Sequence, residues 1–474
     1  MRIYNTLTRK KEALKAERGK KLSLFVCGIT PYDFAHLGHA RTYVVFDAFV
    51  KYLRNSGYKV FYLQNVTDVD DKIIKRAKEG KQTWKTVSTR FEKEYLKDMG
   101  GLGVNSVSKY ARATENIPEI ISQVKRLLHK GYAYEIPGDG IYYDISKFQS
   151  YGKLARRTKE QSDDAVSRID ESIQKRNKGD FALWKLEPSA KTDFAHPTWP
   201  SPWGRGRPGW HIEDTAITEK YFGPQYDIHG GGRDLMFPHH EAETAQMEAI
   251  SGKKLLARFW MHSGFLTIGG EKMSKSLGNF IAIQDFLKNH SPRVLRLLFL
   301  KTHYRSPIDY SEKLILQTKQ ELERIDEFVG KLHETRSMKR ETKKRFKLQA
   351  SRFTLHASYF MKALEDDFNT PKAIAVVFDL IRKVNPLLSR NALSRKETKE
   401  ILAFLHEMDK IFGFIFAKQK ISAVPNEIKK LLVQREQYRE QKLWNKADEL
   451  RKKLLAKGWL IEDTPSGPKL KKTV

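Results

Sequence analysis

Two short β-rich runs, residues 22–26 and 59–65, flank a stretch, 40–55, in which Val44, Phe46, Phe49, Val50 and Leu53 lie along one side at helical spacing. Strand, helix and strand in such close succession form a β-α-β unit, so a parallel, doubly wound sheet with helices on its faces is expected. The turn from the first strand into the helix reads His36-Leu37-Gly38-His39. Histidines there place hydrogen-bond donors at the positive end of a helix, where phosphate groups bind. Far along the chain, Lys272-Met273-Ser274-Lys275-Ser276 forms a loop flanked by Gly269, Gly270 and Gly278, and its two lysines can close over the same phosphates. Together the two segments read as machinery for attack on the α-phosphate of ATP.

The chain has 474 residues, enough for two or three domains with cores of their own. Residues 70–78, 84–98 and 117–130 have helical patterns. The stretch 138–208 differs, with Gly, Pro, Trp and charge clusters and short strands such as Ile141-Tyr142-Tyr143; it reads as an insertion that returns to the sheet near Gly209. From 292 to 416 Leu, Lys, Glu and Arg recur with helical periodicity, which signals a helix bundle. Residues 426–457 form a polar, basic helical pair and 458–474 a small turn-rich tail. The expected division is therefore 1–115, an insertion at 116–208, a return to the first domain at 209–291, a bundle at 292–416 and a small region at 417–474.

With 87 Lys and Arg against 57 Asp and Glu, the formal charge is +30. That excess is larger than solubility needs and predicts a polyanionic partner, nucleic acid above all. No apolar run reaches the roughly 18 residues of a spanning helix, no helix pairs a basic face with a strongly apolar one, and Met1-Arg2-Ile3-Tyr4 does not open like a signal peptide. A membrane partner is not expected. Cys27 is the single cysteine, so no intrachain disulfide can form, which fits a reducing cytoplasm.

Several further blocks carry a resemblance. They are Tyr4-Asn5-Thr6-Leu7-Thr8-Arg9-Lys10, Val26-Cys27-Gly28-Ile29-Thr30-Pro31-Tyr32-Asp33 and Asn65-Val66-Thr67-Asp68-Val69-Asp70-Asp71. They continue through Ser201-Pro202-Trp203-Gly204, Gly209-Trp210-His211-Ile212-Glu213, His229-Gly230-Gly231-Gly232 and Asp234-Leu235-Met236-Phe237-Pro238-His239-His240. In this order and spacing, with the two phosphate segments, they resemble the class I aminoacyl-tRNA synthetases and, within them, the cysteinyl-tRNA synthetase family, over nearly the whole chain. The resemblance implies a Rossmann-like catalytic domain with an insertion, followed by an α-helical bundle and a C-terminal region that read the anticodon. It also implies activation of L-cysteine by ATP, entering with Mg²⁺, and transfer to tRNA(Cys).

Such activation is an in-line attack of the amino acid's carboxylate on the α-phosphorus, catalysed mostly by positioning and charge stabilisation. His36 and His39 are suited to donate to the phosphate oxygens, and Gly38 to let the nucleotide approach the backbone. Lys272 and Lys275 would clamp the leaving phosphates, with Lys275 the more direct ATP contact by family position. Asp234 could accept hydrogen bonds from the nucleotide or from the substrate amine. Thr67 and Trp210 match family positions that wall the substrate pocket.

A second constellation is Cys27, Asp214, His239 and Glu243. His239 and Glu243 are four residues apart and share a face if helical. In the family, two cysteines, a histidine and a glutamate at matching positions hold a zinc ion that binds the substrate thiolate. Borderline-soft Zn²⁺ favours that sulfur over a serine hydroxyl. Here the second cysteine is Asp214. A carboxylate oxygen is a legitimate zinc ligand and keeps the ligand charge, so one zinc per chain is expected; the alternative is a metal-free site in which Asp214 serves otherwise. His211 and His240 are expected as neighbours of the metal, not ligands.

Lys and Arg are dense at 339–347, 429–457 and 469–472, as phosphate contacts require. Trp444 and Trp459 sit among them and either stack on anticodon bases or pack between C-terminal elements. Lys446-Ala447-Asp448-Glu449-Leu450-Arg451 and Gly458-Trp459-Leu460-Ile461-Glu462-Asp463-Thr464 resemble the family's C-terminal block; after Gly467 the match lapses. A cytoplasmic monomer is expected. Two other readings compete: a related ligase joining cysteine to an amino sugar in mycothiol synthesis, and a tRNA-binding paralogue without activity. The first is shorter and has no use for a charge of +30; the second has no need of His36, His39, Lys272 and Lys275 together.

Overall fold

A computed structural model of the chain describes residues 1–16, 19–157, 174–187, 194–273, 278–337, 350–416, 425–464 and 467–472. The chain divides into two units, Met1–Phe416 and Ala417–Val474. At the centre of the first are five strands: β1 (Lys21–Ile29), β2 (Lys59–Val66), β3 (Lys109–Arg112), β4 (Tyr226–Gly232) and β5 (Ala257–Ser263). They pair in the order β5-β4-β1-β2-β3, every pair parallel, as the β-α-β unit predicts. The chain starts in the middle with β1, runs out to β3, and returns on the other side at β4. The order therefore reverses between β1 and β4, and ligands of such sheets bind beyond the carboxyl ends of strands at that reversal. Between β3 and β4 lies a separate antiparallel sheet of Ala133–Ile136, Gly140–Tyr143, Phe181–Leu186 and Gly206–Pro208.

Strand alternation decides which side chains reach which face. Leu24 and Val26 of β1 and Ile228 of β4 join the core that includes helix α1 (Leu37–Asn55). Phe25 and Cys27 join the opposite core, with Trp260 of β5, Ile217 of α2 (Trp210–Phe222) and Met247 of α3 (His239–Ser251). His229 follows the parity of Phe25, its partner in register, and meets that ring edge-on at 5.1 Å. Thiol and imidazole thus emerge on one face.

Helix α1 is buried more widely than a single apolar stripe: Val45, Ala48 and Tyr52 are covered as well as Val44, Phe46, Phe49, Val50 and Leu53. It packs on the sheet and also on α4 (Pro292–Leu300) and on α8 (Arg395–Phe412), the last helix of a bundle that includes α5 (Glu312–Ser337), α6 (Ala350–Glu365) and α7 (Thr370–Ser389). A helix between two layers has little polar face to spare.

The second unit pairs α9 (Asn426–Glu440) with α10 (Trp444–Ala456). Its tail is not merely turns: Trp459–Thr464 and Gly467–Lys472 form an antiparallel hairpin. The alternation is masked in sequence by lysines on the second strand. Trp459 is buried with Ile428, Leu454 and Ile461, so it packs, while Trp444 is 57% exposed. The basic run 339–347 lies outside the described residues. Among the described residues no helix is long and apolar enough to cross a membrane.

Candidate active site and metal-binding cluster

Helix α1 opens with a histidine cap. The His36 Nδ1 accepts from the backbone N–H of Gly38 at 3.0 Å and of His39 at 3.4 Å, while the His36 N–H donates to His39 Nδ1 at 3.3 Å. The two rings stack with centroids 3.9 Å apart. The cap engages only the two Nδ1 atoms. With both Nδ1 atoms accepting, each neutral ring carries its hydrogen on Nε2, so each has one N–H to offer at a helix N-terminus. A Cβ on Gly38 would come within 2.9 Å of the His36 ring, so the glycine is needed to let that ring fold back as the cap.

Lys272 reaches across to Asp234, Nζ to Oδ2 2.9 Å, just after the glycines that end β4. Both side chains are largely exposed, so the pair adds little to stability. Lys275 lies outside the described residues.

The expected metal constellation comes together. Cys27 sits at a bulge in β1, where the register with β2 shifts between Val26 and Ile29. The backbone passes so close to β2 there that a Cβ on Gly28 would lie 1.8 Å from the Asn65 carbonyl oxygen. Asn65 Oδ1 accepts from the Gly28 N–H, and its Nδ2 donates to Asp214 Oδ1, each at 2.5 Å. Asp214 stands one turn along α2 from Trp210, and Glu243 one turn along α3 from His239. His239 Nε2 lies 3.0 Å from Asp214 Oδ2 and 3.0 Å from Glu243 Oε1, and Cys27 Sγ is 3.8 Å from that same Glu243 oxygen. All four residues are buried.

Four donors about 2.0–2.3 Å from a tetrahedral zinc stand about 3.3–3.6 Å from one another. The observed spacings bracket that range, and the ligating atoms all lie within 4.8 Å. Buried thiol, imidazole and carboxylates therefore form a cluster that fits a zinc ion. Electrostatics agree. Burial, then the Glu243 and Asp214 carboxylates, push the Cys27 thiol well above its ordinary range. Burial alone would lower His239, but the same two carboxylates raise it. The carboxylates act in the same sense on both groups, and a divalent cation would neutralise the negative charge they bring.

Trp210 stacks on His239 with centroids 4.3 Å apart, and Thr67 is buried beside Asn65, whose Nδ2 donates to its Oγ1 at 3.3 Å. His211 Nδ1 stands 2.8 Å from His239 Nδ1. His240 is closer to the cluster than expected: its Nε2 is 3.2 Å from Cys27 Sγ. Sequence reasoning left three participants without a role. His229 Nε2 lies 3.4 Å from Cys27 Sγ and its Nδ1 2.6 Å from the Tyr226 hydroxyl; His262 Nε2 meets His240 Nδ1 at 2.9 Å. The available signal was position on parallel strands, His229 at the middle of β4 and His262 next to the carboxyl end of β5.

Residues 13–320 match the family described as tRNA synthetases class I (C) catalytic domain, and residues 359–417 match the DALR domain. A cysteine--tRNA ligase of Carboxydothermus hydrogenoformans is 42% identical over 475 residues, covering 100% of both chains. Those of Thermococcus gammatolerans and Thermodesulfovibrio yellowstonii are 42% and 40% identical, each covering 98% of both chains. Among solved structures, the Mycobacterium tuberculosis methionyl-tRNA synthetase in complex with methionyl-adenylate is similar with a TM-score of 0.58 at 14% identity, over 84% of this chain and 90% of that one.

Proposed function

The chain belongs to the cysteine--tRNA ligases, within the class I aminoacyl-tRNA synthetases, and on that premise we propose how the residues at the strand-order reversal divide the work. The enzyme joins L-cysteine to its tRNA at the expense of ATP. In the first step the cysteine carboxylate attacks the α-phosphorus and magnesium pyrophosphate leaves. His36 and His39 donate their Nε2–H groups to phosphate oxygens as charge moves onto them. Lys272 exchanges Asp234 for the departing phosphates, and Lys275 joins it. Asp234, once released, can accept from the substrate amine. A zinc ion held by residues of the cluster around Cys27 and Glu243 would supply a borderline-soft Lewis acid that favours a thiolate over a hydroxyl. Trp210 and Thr67 wall the pocket closely enough to exclude longer side chains. In the second step tRNA(Cys), gathered by the basic helical half, receives the cysteine.

One observation supports this most: a buried thiol–imidazole–carboxylate cluster is anchored by Cys27 near the carboxyl end of β1, and a histidine-capped helix start follows that same strand. The test is cysteine-dependent ATP–pyrophosphate exchange followed by charging of tRNA(Cys), and both are expected. Exchange without charging would point to the amino-sugar ligase, and absence of exchange to the binding paralogue.

A further inference from the structure

Cys27 and Glu243 belong to two donor sets at once. One is Cys27, Asp214, His239 and Glu243; the other is Cys27, His229, His240 and Glu243, also with all ligating atoms within 4.8 Å. Because two ligands are shared, one ion can occupy only one set.

Three observations separate the sets. The first is spacing. In the second set the gaps are 3.2 Å (Cys27 Sγ to His240 Nε2), 3.4 Å (Cys27 Sγ to His229 Nε2), 3.4 Å (His229 Nε2 to Glu243 Oε2) and 3.8 Å (Cys27 Sγ to Glu243 Oε1). These lie nearer the tetrahedral edges of about 3.3–3.6 Å than the two 3.0 Å gaps around His239. The second is orientation. His229 Nδ1 is held by the Tyr226 hydroxyl, and His240 Nδ1 by His262, whose own Nδ1 is held by Thr6 Oγ1 at 2.9 Å. With hydrogens on those Nδ1 atoms, both Nε2 lone pairs aim at one point beside Cys27, which is how outer hydrogen bonds ordinarily fix metal-binding imidazoles. The third is charge. In the second set only Cys27 and Glu243 meet the ion as anions, with two neutral imidazoles, so the four ligands cancel Zn²⁺ and the buried Asp214 is left to the donors that already hold it. The residues left over are not orphaned, since His239 and Asp214 bond to each other at 3.0 Å and Asn65 holds the other Asp214 oxygen.

We propose that in this chain the zinc ion rests in the set Cys27, His229, His240 and Glu243, with Asp214 and His239 paired beside it, because a carboxylate already engaged by Asn65 stands where the family has a second thiolate. The proposal rests on the zinc reading above and moves two of its four ligands.

X-ray absorption on the zinc-loaded full-length enzyme counts sulfur and imidazole neighbours without any variant. Two imidazoles and one sulfur are expected; one imidazole overturns the proposal. Protein that takes up no zinc overturns the zinc reading with it, so the two failures are distinguishable. Asp214→Cys is expected to draw the ion into the other set, raising the sulfur count from one to two and lowering the imidazole count from two to one. An unchanged count in that variant contradicts the reason given for the shift. Zinc retention against a chelator supplies a third readout. His229→Asn should lower it at least about tenfold, and His239→Asn should leave it within about twofold. The reverse order overturns the proposal.

Discussion

At the scale of single residues, His36 caps α1, and one substitution separates that cap from the phosphate-donor role proposed for it. Asparagine is among the best helix N-caps, so His36→Asn keeps an acceptor for the first turn while removing the imidazole N–H. Unfolding stability should stay within about 1 kcal/mol of the parent. The rate constant for exchange should fall about 10²–10³-fold, the usual effect of losing one donor to developing charge, with the KM for cysteine little changed. Parallel urea melts and exchange kinetics check this; a loss of activity matched by a loss of fold would reduce His36 to a cap. How legible such residues were depended on spacing. Cys27, Asp214, His239 and Glu243 were found because the family pattern and the i, i+4 interval named their places. His229 was marked only as part of the His229-Gly230-Gly231-Gly232 block, without a role, and His262 not at all, since a histidine in an apolar strand is by type a core residue. Only strand parity and register turn them toward Cys27.

At the scale of elements, the β-α-β unit was readable because periods of 2 and 3.6 alternate cleanly, and a parallel sheet follows from that alone. The wide burial of α1 was not readable, because it depends on α4 and α8, far along the chain. Their attachment is specific. Buried Arg296 on α4 binds Asp47 of α1 at 2.9 Å and donates to the backbone carbonyls of Phe412 at 2.6 Å and Leu102 at 3.0 Å. Burial would raise the Asp47 carboxyl, but Arg296 and Lys51 outweigh it and hold it below its ordinary value. The folded carboxyl then keeps its charge where the unfolded one, near about 3.9, takes up a proton. Stability from this pair is therefore complete above that value and lost as pH falls through the lower folded one. Asp47→Asn should cost about 3–5 kcal/mol near neutrality, because it strands Arg296, and the gap to the parent should narrow as pH drops from about 5 to 3. Urea midpoints across that interval measure it; a gap independent of pH would contradict the charged pairing.

At the scale of the whole molecule, a charge of +30 foretold a polyanion but could not say which surfaces meet it. Packing separates the two C-terminal tryptophans: Trp459 lies in a core, and Trp444 is exposed, as the stacking role proposed for it requires. Trp444→Ala should weaken tRNA(Cys) binding about 5- to 150-fold by filter binding and leave exchange untouched. Affinity should also fall at least about tenfold from about 50 to 200 mM salt. Central to the proposed function is the selection of cysteine by the buried cluster, loaded with zinc. Chelation, with zinc content and cysteine-dependent exchange followed on the same samples, tests that most directly. About one zinc per chain should leave, exchange should vanish, and both should return when zinc is restored. Full exchange from protein holding less than about half an equivalent of zinc would contradict the account.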